Sequence, residues 1–295
     1  MNFTKIKYSF LIGILALVSC TNNKEFESPN MPLWEIANEQ GGLSYLLGTS
    51  EYLPKDSARI LFNELLISKF DSAEVFLTQI DVANSDFGQT KLALEIPDQK
   101  MMREYLSENE FQHLQQLKKN WRYSEHNSMP SSDSTRLRLL FYLHDMIYAN
   151  NQSNFYFDKF WVDRAMPLEK KISGLETYQS YYEGLSILTK KEEVDFMSSM
   201  GVIDVFVDSL RNSTQRLYMK GEFSQIHSLY LSLFPYLSTH YKSMVADKHK
   251  TWAEKIGASS DTSSTFVTLD VFHMFGESNL IKELLSKGYN VERIQ

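Results

Sequence analysis

Cysteine is almost absent from this sequence, since the only one among 295 residues is Cys20. A single thiol cannot close an intramolecular disulfide, and it excludes the cysteine clusters that hold structural zinc. The common catalytic and nucleotide-binding motifs H-E-x-x-H, G-x-S-x-G, G-x-G-x-x-G and the P-loop are absent too. Basic residues are in deficit, with 30 Lys and Arg against 37 Asp and Glu. The sequence therefore lacks the basic footprint of a nucleic-acid-binding protein.

Long hydrophobic runs are missing as well, apart from the segment at residues 10–18. Lys5 and Lys7 precede this segment, which is too short to span a bilayer comfortably. A charged segment followed by a short apolar one is typical of a secretory signal peptide. It ends in L-V-S-C at Cys20, a tetrapeptide that resembles the lipobox of bacterial lipoproteins. An ordinary signal peptide followed by a chance cysteine is the alternative.

The lipobox predicts that residues 1–19 are a lipoprotein signal peptide, removed by cleavage before Cys20, and that the Cys20 thiol is lipidated. Residues 20–32 are mostly polar and predict a flexible tether. We therefore expect a protein that is held by its lipid anchor in the bacterial cell envelope, at the outer membrane, and that does not span the membrane.

The rest of the chain, residues 33–295, alternates between strand and helix patterns and predicts a single α/β domain. We expect a mixed central sheet with strands from both chain ends, flanking helices and a large helical insertion at about residues 99–256. The strands Ser44–Leu47 and Thr265–Leu269 are expected in one sheet, because only this brings the loops after them together. The other predicted elements are the strands Leu33–Ala37, Ala73–Ile80, Lys171–Leu175 and Tyr289–Ile294, the helices Lys55–Phe70 and Asn279–Lys287 with Gly288 as its left-handed C-cap, and a loop at Ser128–Asp133.

Five regions of the chain share a recognisable order and spacing. They are Leu33–Ile36 with Gly41–Thr49, then Gly174–Thr177, Tyr218–Phe223, Asp247–His249 with Trp252–Ile256, and Phe266–Glu277 with Lys287–Val291. Together, from about residue 33 to 294, they resemble the TraB/GumN family. The family includes GumN-like bacterial secreted proteins, pheromone-shutdown proteins and Wnt-clipping metalloproteases. The resemblance implies a metal-dependent hydrolase, in particular a peptidase, with ligands from two G-x-x-H motifs and from intervening acidic residues. An ion held in this way with an open position activates a bound water near neutral pH.

The chain departs from the family pattern at the motif positions that would hold the ion. The first G-x-x-H motif reads G-T-S-E from Gly48 to Glu51, so glutamate stands at the histidine position. The second motif keeps His273, but Asp270 replaces its glycine, and we expect the added side chain to crowd the pocket. Gln79 stands where a glutamate is expected. Lys248-His249 replace an Arg-Asn pair, which removes the bidentate guanidinium.

Two interpretations of these departures remain open. In a remodelled site, Glu51, Asp270 and His273 form an oxygen-rich set for manganese, cobalt or zinc, and Glu176 is a catalytic acid or a substrate contact. In a degenerate site, the fold survives as a lipoprotein that binds a peptide or protein ligand, or acts as a scaffold, without catalysis. The ligand count favours the second, because a metal site requires a definite number and geometry of ligands.

Each of these residues also has a purely structural interpretation. Glu51 is then a solvated loop carboxylate, Asp270 a turn residue and His273 a loop histidine that contacts a backbone carbonyl. Glu176 is then the first acidic residue of a helix, where it complements the helix dipole. Convergence of Glu51, Asp270 and His273 at one sheet edge would indicate an active or relict site.

Overall fold

The computed structural model describes residues 31–39, 41–81, 95–96, 98, 100–121, 135–149 and 157–294. The predicted signal peptide, Cys20, almost all of the tether and the predicted loop at Ser128–Asp133 lie outside these residues. Within the described part of the chain, no helix combines the length and the apolar character that a membrane crossing requires.

A six-stranded mixed sheet with the order β4-β3-β5-β2-β1-β6 forms the centre of the fold. The four strands β4, β3, β5 and β2 are parallel, whereas β1 is antiparallel to both β2 and β6. The predicted α/β class, with a mixed sheet built from both chain ends, is confirmed. The strands are β1 (Leu33–Ala37), β2 (Leu43–Thr49), β3 (Val75–Ile80), β4 (Lys171–Glu176), β5 (Thr265–Asp270) and β6 (Asn290–Arg293).

The pairing of β2 with β5 brings the two ends of the chain together. In this parallel pair Tyr45 lies opposite Phe266, and Thr49 lies opposite Asp270. The predicted proximity of these two strands is therefore confirmed. Because β3 and β4 run in the same direction, the carboxyl ends of all four parallel strands meet at one edge of the sheet, where open α/β sheets place their ligands.

Helices cover the sheet and make up most of the described residues between β3 and β5. β4 lies inside the span predicted as a helical insertion, and it forms one edge of the sheet. The helices are α1 (Lys55–Leu61), α2 (Glu64–Ser72), α3 (Met102–Tyr105), α4 (Glu108–Lys119), α5 (Leu139–Ala149), α6 (Phe157–Ala165), α7 (Tyr178–Leu185), α8 (Lys190–Ser199), α9 (Ile203–Met219), α10 (Phe223–Leu233), α11 (Pro235–Thr239), α12 (Asp247–Ser260) and α13 (Leu280–Ser286).

The prediction of one continuous helix over Lys55–Phe70 is wrong. The helix is interrupted after Leu61, and Asn63 caps α2 because its side-chain oxygen accepts a hydrogen bond from the Leu66 backbone N–H. Asparagine is among the preferred N-cap residues, and this local bond competes with a continuous helix. The left-handed conformation predicted for Gly288 is confirmed, with φ +90° directly after α13 and its C-cap.

An aromatic cluster fixes α6 against the sheet. Trp161 of α6 packs with ring centroids 4.4 Å from Phe70 and 5.4 Å from Phe266, and Phe76 lies 5.3 Å from Phe70. All four rings are fully buried, and burial of each large apolar side chain contributes roughly 2–3 kcal/mol. This packing anchors a helix whose first turn carries Asp158, and Thr268 of β5 donates a hydrogen bond to that carboxylate.

Close approach of backbone to backbone explains the glycine of the β4 motif. A Cβ atom on Gly174 would lie 2.0 Å from the backbone nitrogen of Asp81, at the end of the neighbouring strand. That nitrogen donates a hydrogen bond to the Glu176 carbonyl, which holds the ends of β3 and β4 together. Lys255 of α12 donates to the Gly174 carbonyl at 2.7 Å and ties the helix to the same strand.

Candidate functional site

The four parallel strands each supply one polar residue at their carboxyl ends. Glu51 follows β2, Gln79 lies near the end of β3, and Glu176 and Asp270 are the last residues of β4 and β5. All four line one cavity of about 420 Å³, and so does His273. The predicted site residues therefore converge at one sheet edge, although their distances along the chain are large.

Gln79 joins β5 to the short 3-10 turn that follows it. Its side-chain oxygen accepts a hydrogen bond from the Asp270 backbone N–H at 3.4 Å. Because a backbone N–H can only donate, this contact orients the amide, and the Gln79 nitrogen then faces His273 Nε2 at 3.4 Å. An amide nitrogen can only donate, so His273 Nε2 accepts.

His249 lies behind His273 and continues the same chain of hydrogen bonds. The His249 Nε2 atom lies 3.1 Å from His273 Nδ1. Since His273 Nε2 accepts from Gln79, the single proton of a neutral His273 is on Nδ1 and is donated to His249 Nε2. Burial lowers the pKa of His249 to about 4 and the pKa of His273 well below its ordinary value, and each is lowered further by a neighbouring histidine. Both rings are therefore neutral at physiological pH.

Asp270 has one oxygen committed to the backbone. Its Oδ1 accepts a hydrogen bond from the Phe272 backbone N–H at 2.8 Å and caps the turn Val271–Met274. This geometry agrees with the interpretation of Asp270 as a turn residue. The side chain also lines the cavity, where burial, together with the charge of Glu51, raises its pKa to about 7. A nearby negative charge disfavours ionisation of a buried carboxyl group.

Glu176 forms an ion pair inside the cavity wall. Lys248 Nζ donates to Glu176 Oε2 at 2.6 Å, and the same ammonium lies 5.3 Å from the centroid of the Tyr181 ring. Burial raises the pKa of Glu176, and Lys248 opposes the rise. The interpretation of Glu176 as the first acidic residue of a helix is wrong, because it ends β4 and Thr177 caps the helix that follows.

Gly48 is the glycine of the G-T-S-E motif that ends at Glu51, and its role is to allow close packing. A Cβ atom there would lie 2.9 Å from the Val271 side chain and 3.0 Å from the Met274 sulfur. The Tyr218 hydroxyl donates to the Gly48 carbonyl at 2.5 Å. A glycine here thus lets β2 pass close to the turn that carries His273, which brings the two motifs together.

Lys248 and His249 lie in the first turn of α12, directly after the π-helical segment Lys242–Ala246. This position directs Lys248 to Glu176 and His249 to His273. Such π-helical turns often occur at functional sites.

Sequence patterns do not predict Asp158, which also lines the cavity. Burial and the charge of Glu51 raise its pKa to about 7. Its helix reaches the cavity through the packing of Trp161, which no local pattern reveals. The remaining polar lining is supplied by Thr49, His144, Lys248 and six tyrosines: Tyr52, Tyr178, Tyr181, Tyr182, Tyr230 and Tyr236. The three tyrosines of α7 follow the Gly174–Thr177 motif directly, and this is the one sequence signal for an aromatic wall.

The residues expected to hold a metal ion, Glu51, Asp270 and His273, line the same cavity. Within the described residues, no group of three or more His, Cys, Asp and Glu side chains is arranged so that it could hold one. His273 Nε2 accepts from Gln79, and one of the two Asp270 oxygens accepts from Phe272. His273 would have to lose its bond to Gln79 before its Nε2 atom could bind an ion.

The fold and the cavity define an α/β protein with its candidate site at the carboxyl ends of a parallel sheet. A sequence model of the TraB/PrgY/gumN family matches residues 32–293, nearly the whole chain. The protein belongs to this family. Comparison with curated proteins and with solved structures finds no significant match.

The raised pKa of Asp158 predicts a pH dependence of stability. In the unfolded chain this carboxyl ionises near its ordinary value of 3.8, whereas in the fold it ionises at about 7. Between these values the folded state binds more protons, so its stability falls as the pH rises. We expect Asp158→Asn to raise the free energy of unfolding at pH 8 by about 1–2 kcal/mol, because asparagine cannot carry the buried charge. Each tenfold change in proton affinity corresponds to about 1.4 kcal/mol, and water in the cavity screens part of the total. The gain should shrink at pH 5.

Urea unfolding of both proteins at pH 5, 6.5 and 8 measures this effect. Asp163→Asn is a matched control, because Asp163 lies on the same helix, exposed to solvent and paired with Lys159. An Asp158→Asn variant whose stability follows that of the wild type at every pH would show that Asp158 ionises normally in the fold.

Proposed function

We propose that this member of the TraB/PrgY/gumN family is a membrane-anchored lipoprotein that binds a ligand in its cavity and does not catalyse metal-dependent hydrolysis. One observation carries the proposal: the Gln79 amide donates to His273 Nε2, the nitrogen that would bind an ion. A glutamate at position 79 could not donate there and would add a negative charge. Gln79 therefore stands in the place of one expected metal ligand, and its amide also occupies the Nε2 lone pair of a second, His273.

The pair formed by His249 and His273 supports the same conclusion. A histidine that binds a metal through Nε2 commonly donates its Nδ1–H to an acceptor, which is the direction of the bond to His249. The supporting bond of a metal-binding histidine thus persists while its outer nitrogen is bound to Gln79. This combination supports a site that retains its architecture and has exchanged the ion for a protein side chain.

A remodelled metal-dependent peptidase or hydrolase is the second candidate. It is favoured by the convergence of Glu51, Asp270 and His273 on one cavity, with Glu176 close by as an acid. It requires the Gln79 amide to turn away from His273 and Glu51 to move toward it. Lys248 would then have to release Glu176, since the ion pair keeps that carboxylate ionised.

Metal titration by calorimetry tests the proposal. The purified wild-type protein should bind manganese, cobalt and zinc weakly or not at all, and it should show no metal-dependent peptide cleavage. The double variant Glu51→His, Gln79→Glu should bind at least about tenfold more tightly, because it returns an imidazole and a carboxylate and frees His273 Nε2.

The exposed Gln225 provides a control of equal charge, and Gln225→Glu should leave metal affinity unchanged. A wild-type protein that binds one equivalent of metal tightly, and loses it in His273→Ala, would overturn the proposal in favour of the remodelled hydrolase.

Lipid anchoring at Cys20 is the second part of the proposal. Its support is the lipobox-like tetrapeptide L-V-S-C, which ends in the only cysteine of the sequence. The several acyl chains of a bacterial lipoprotein hold a protein firmly on a membrane, whereas one chain is marginal. We expect wild-type protein in the membrane fraction and Cys20→Ala in the soluble fraction, measured by fractionation and immunoblotting. Ser19→Ala, which keeps the thiol, serves as the control and should remain with the membrane. Equal partitioning of wild type and Cys20→Ala would exclude the anchor.

A further inference from the structure

The cavity has an acidic wall that the proposed binding role does not by itself explain. Asp158 and Asp270 come from different elements and interact electrostatically with each other and with Glu51. Each aspartate uses one oxygen locally, Asp158 to accept from Thr268 and Asp270 to accept from Phe272. Within the described residues, neither aspartate takes part in an ion pair, and Lys248, which also lines the cavity, is paired with Glu176. The wall thus presents carboxyl oxygens to the cavity, and a bound cation would favour their ionised forms.

A separate observation on the neighbouring strand points to a missing donor. The Glu176 side chain is 4% exposed, and Lys248 satisfies only its Oε2 atom. Among the described residues no hydrogen bond of ordinary geometry reaches its buried Oε1 atom, although the side chains of Gln79 and Ser180 lie close enough to lower the pKa of Glu176. A buried carboxylate oxygen without a well-placed donor is unfavourable, so a ligand that supplies an N–H group here would stabilise it.

The aromatic part of the cavity wall is suited to positive charge. Tyr52, Tyr178 and Tyr181 line the cavity with Glu51, and burial, with the charge of Glu51 as a smaller contribution, raises the pKa of each phenol. Lys248 shows that an ammonium is accommodated against the Tyr181 ring, 5.3 Å from its centroid. Faces of tyrosine rings attract cations, and the attraction strengthens where water is excluded.

We propose that the cavity binds a small organic cation, with an ammonium or guanidinium group at Glu51, Asp158 and Asp270 and its apolar body against the tyrosines. The volume of about 420 Å³ suits a small molecule or a single basic side chain of a peptide. A guanidinium matches the wall particularly well, because its planar set of N–H donors can serve several carboxylate oxygens at once. A bare metal ion does not match, since the described carboxylates and histidines form no group that could hold one. This inference rests on the proposed binding function.

Calorimetric titration with butylguanidinium in the presence of EDTA tests the inference. Butylurea has the same shape without the charge and provides the matched neutral probe. We expect wild-type protein to bind butylguanidinium and to bind butylurea at least about tenfold more weakly, a difference of about 1.4 kcal/mol. Asp158→Asn should weaken butylguanidinium binding by about tenfold, whereas Asp163→Asn, on the exposed side of the same helix, should stay within twofold of wild type.

Glu51→Gln provides a second variant, because this side chain is exposed and its replacement should not affect folding. It should also weaken binding of butylguanidinium. Absence of butylguanidinium binding, equal affinity for butylurea, or unchanged affinity in both Asp158→Asn and Glu51→Gln would overturn the inference. Since EDTA removes metal ions, these results do not depend on the metal titration. A failed guanidinium titration without metal binding rejects this inference alone, whereas tight metal binding in EDTA-free buffer rejects the proposed function.

Discussion

The side-chain amide of Gln79 connects the parts of this site, and the behaviour of the other residues depends on its orientation. Its oxygen is held by the Asp270 backbone N–H, so its nitrogen faces His273. That contact sets the tautomer of His273, and the bond to His249 then sets the tautomer of the second ring. A single glutamine at the end of β3 therefore determines which nitrogen atoms are available to a ligand.

The rest of the cavity follows from the direction of four strands. Because β4, β3, β5 and β2 are parallel, their carboxyl ends deliver Glu176, Gln79, Asp270 and Glu51 to one edge of the sheet. The acidic side chains of the cavity differ in their electrostatic surroundings. Lys248 forms an ion pair with Glu176, whereas burial and the charge of Glu51 raise the pKa of Asp158 and Asp270 to about 7. The same fold thus places a neutral histidine pair beside an acidic, tyrosine-lined wall, and the proposed binding of an organic cation depends on this arrangement.

Much of this arrangement was predictable, and the parts that were not share a physical reason. The adjacency of β2 and β5 follows from apolar strands that end in similar motifs, and the left-handed Gly288 follows from local helix chemistry. The break at Asn63 was missed because an apolar periodicity continues across it, although asparagine is itself a capping signal. Asp158 and the contact of His249 with His273 could not be predicted, since they depend on how α6 and α12 pack against the sheet. Periodicity indicates which face of a helix is buried, but not which distant residue that face meets.

The proton positions on the two histidines test the central claim most directly. Long-range nitrogen–proton correlation spectra at pH 7, assigned with the single variants His273→Gln and His249→Gln, distinguish the neutral tautomers from each other and from the imidazolium. The orientation of Gln79 predicts that both rings are neutral, with the proton of each on Nδ1 and with His273 Nε2 unprotonated. A proton on His273 Nε2, in a neutral ring or in an imidazolium, would contradict this account, because the Gln79 amide could not then donate to that nitrogen.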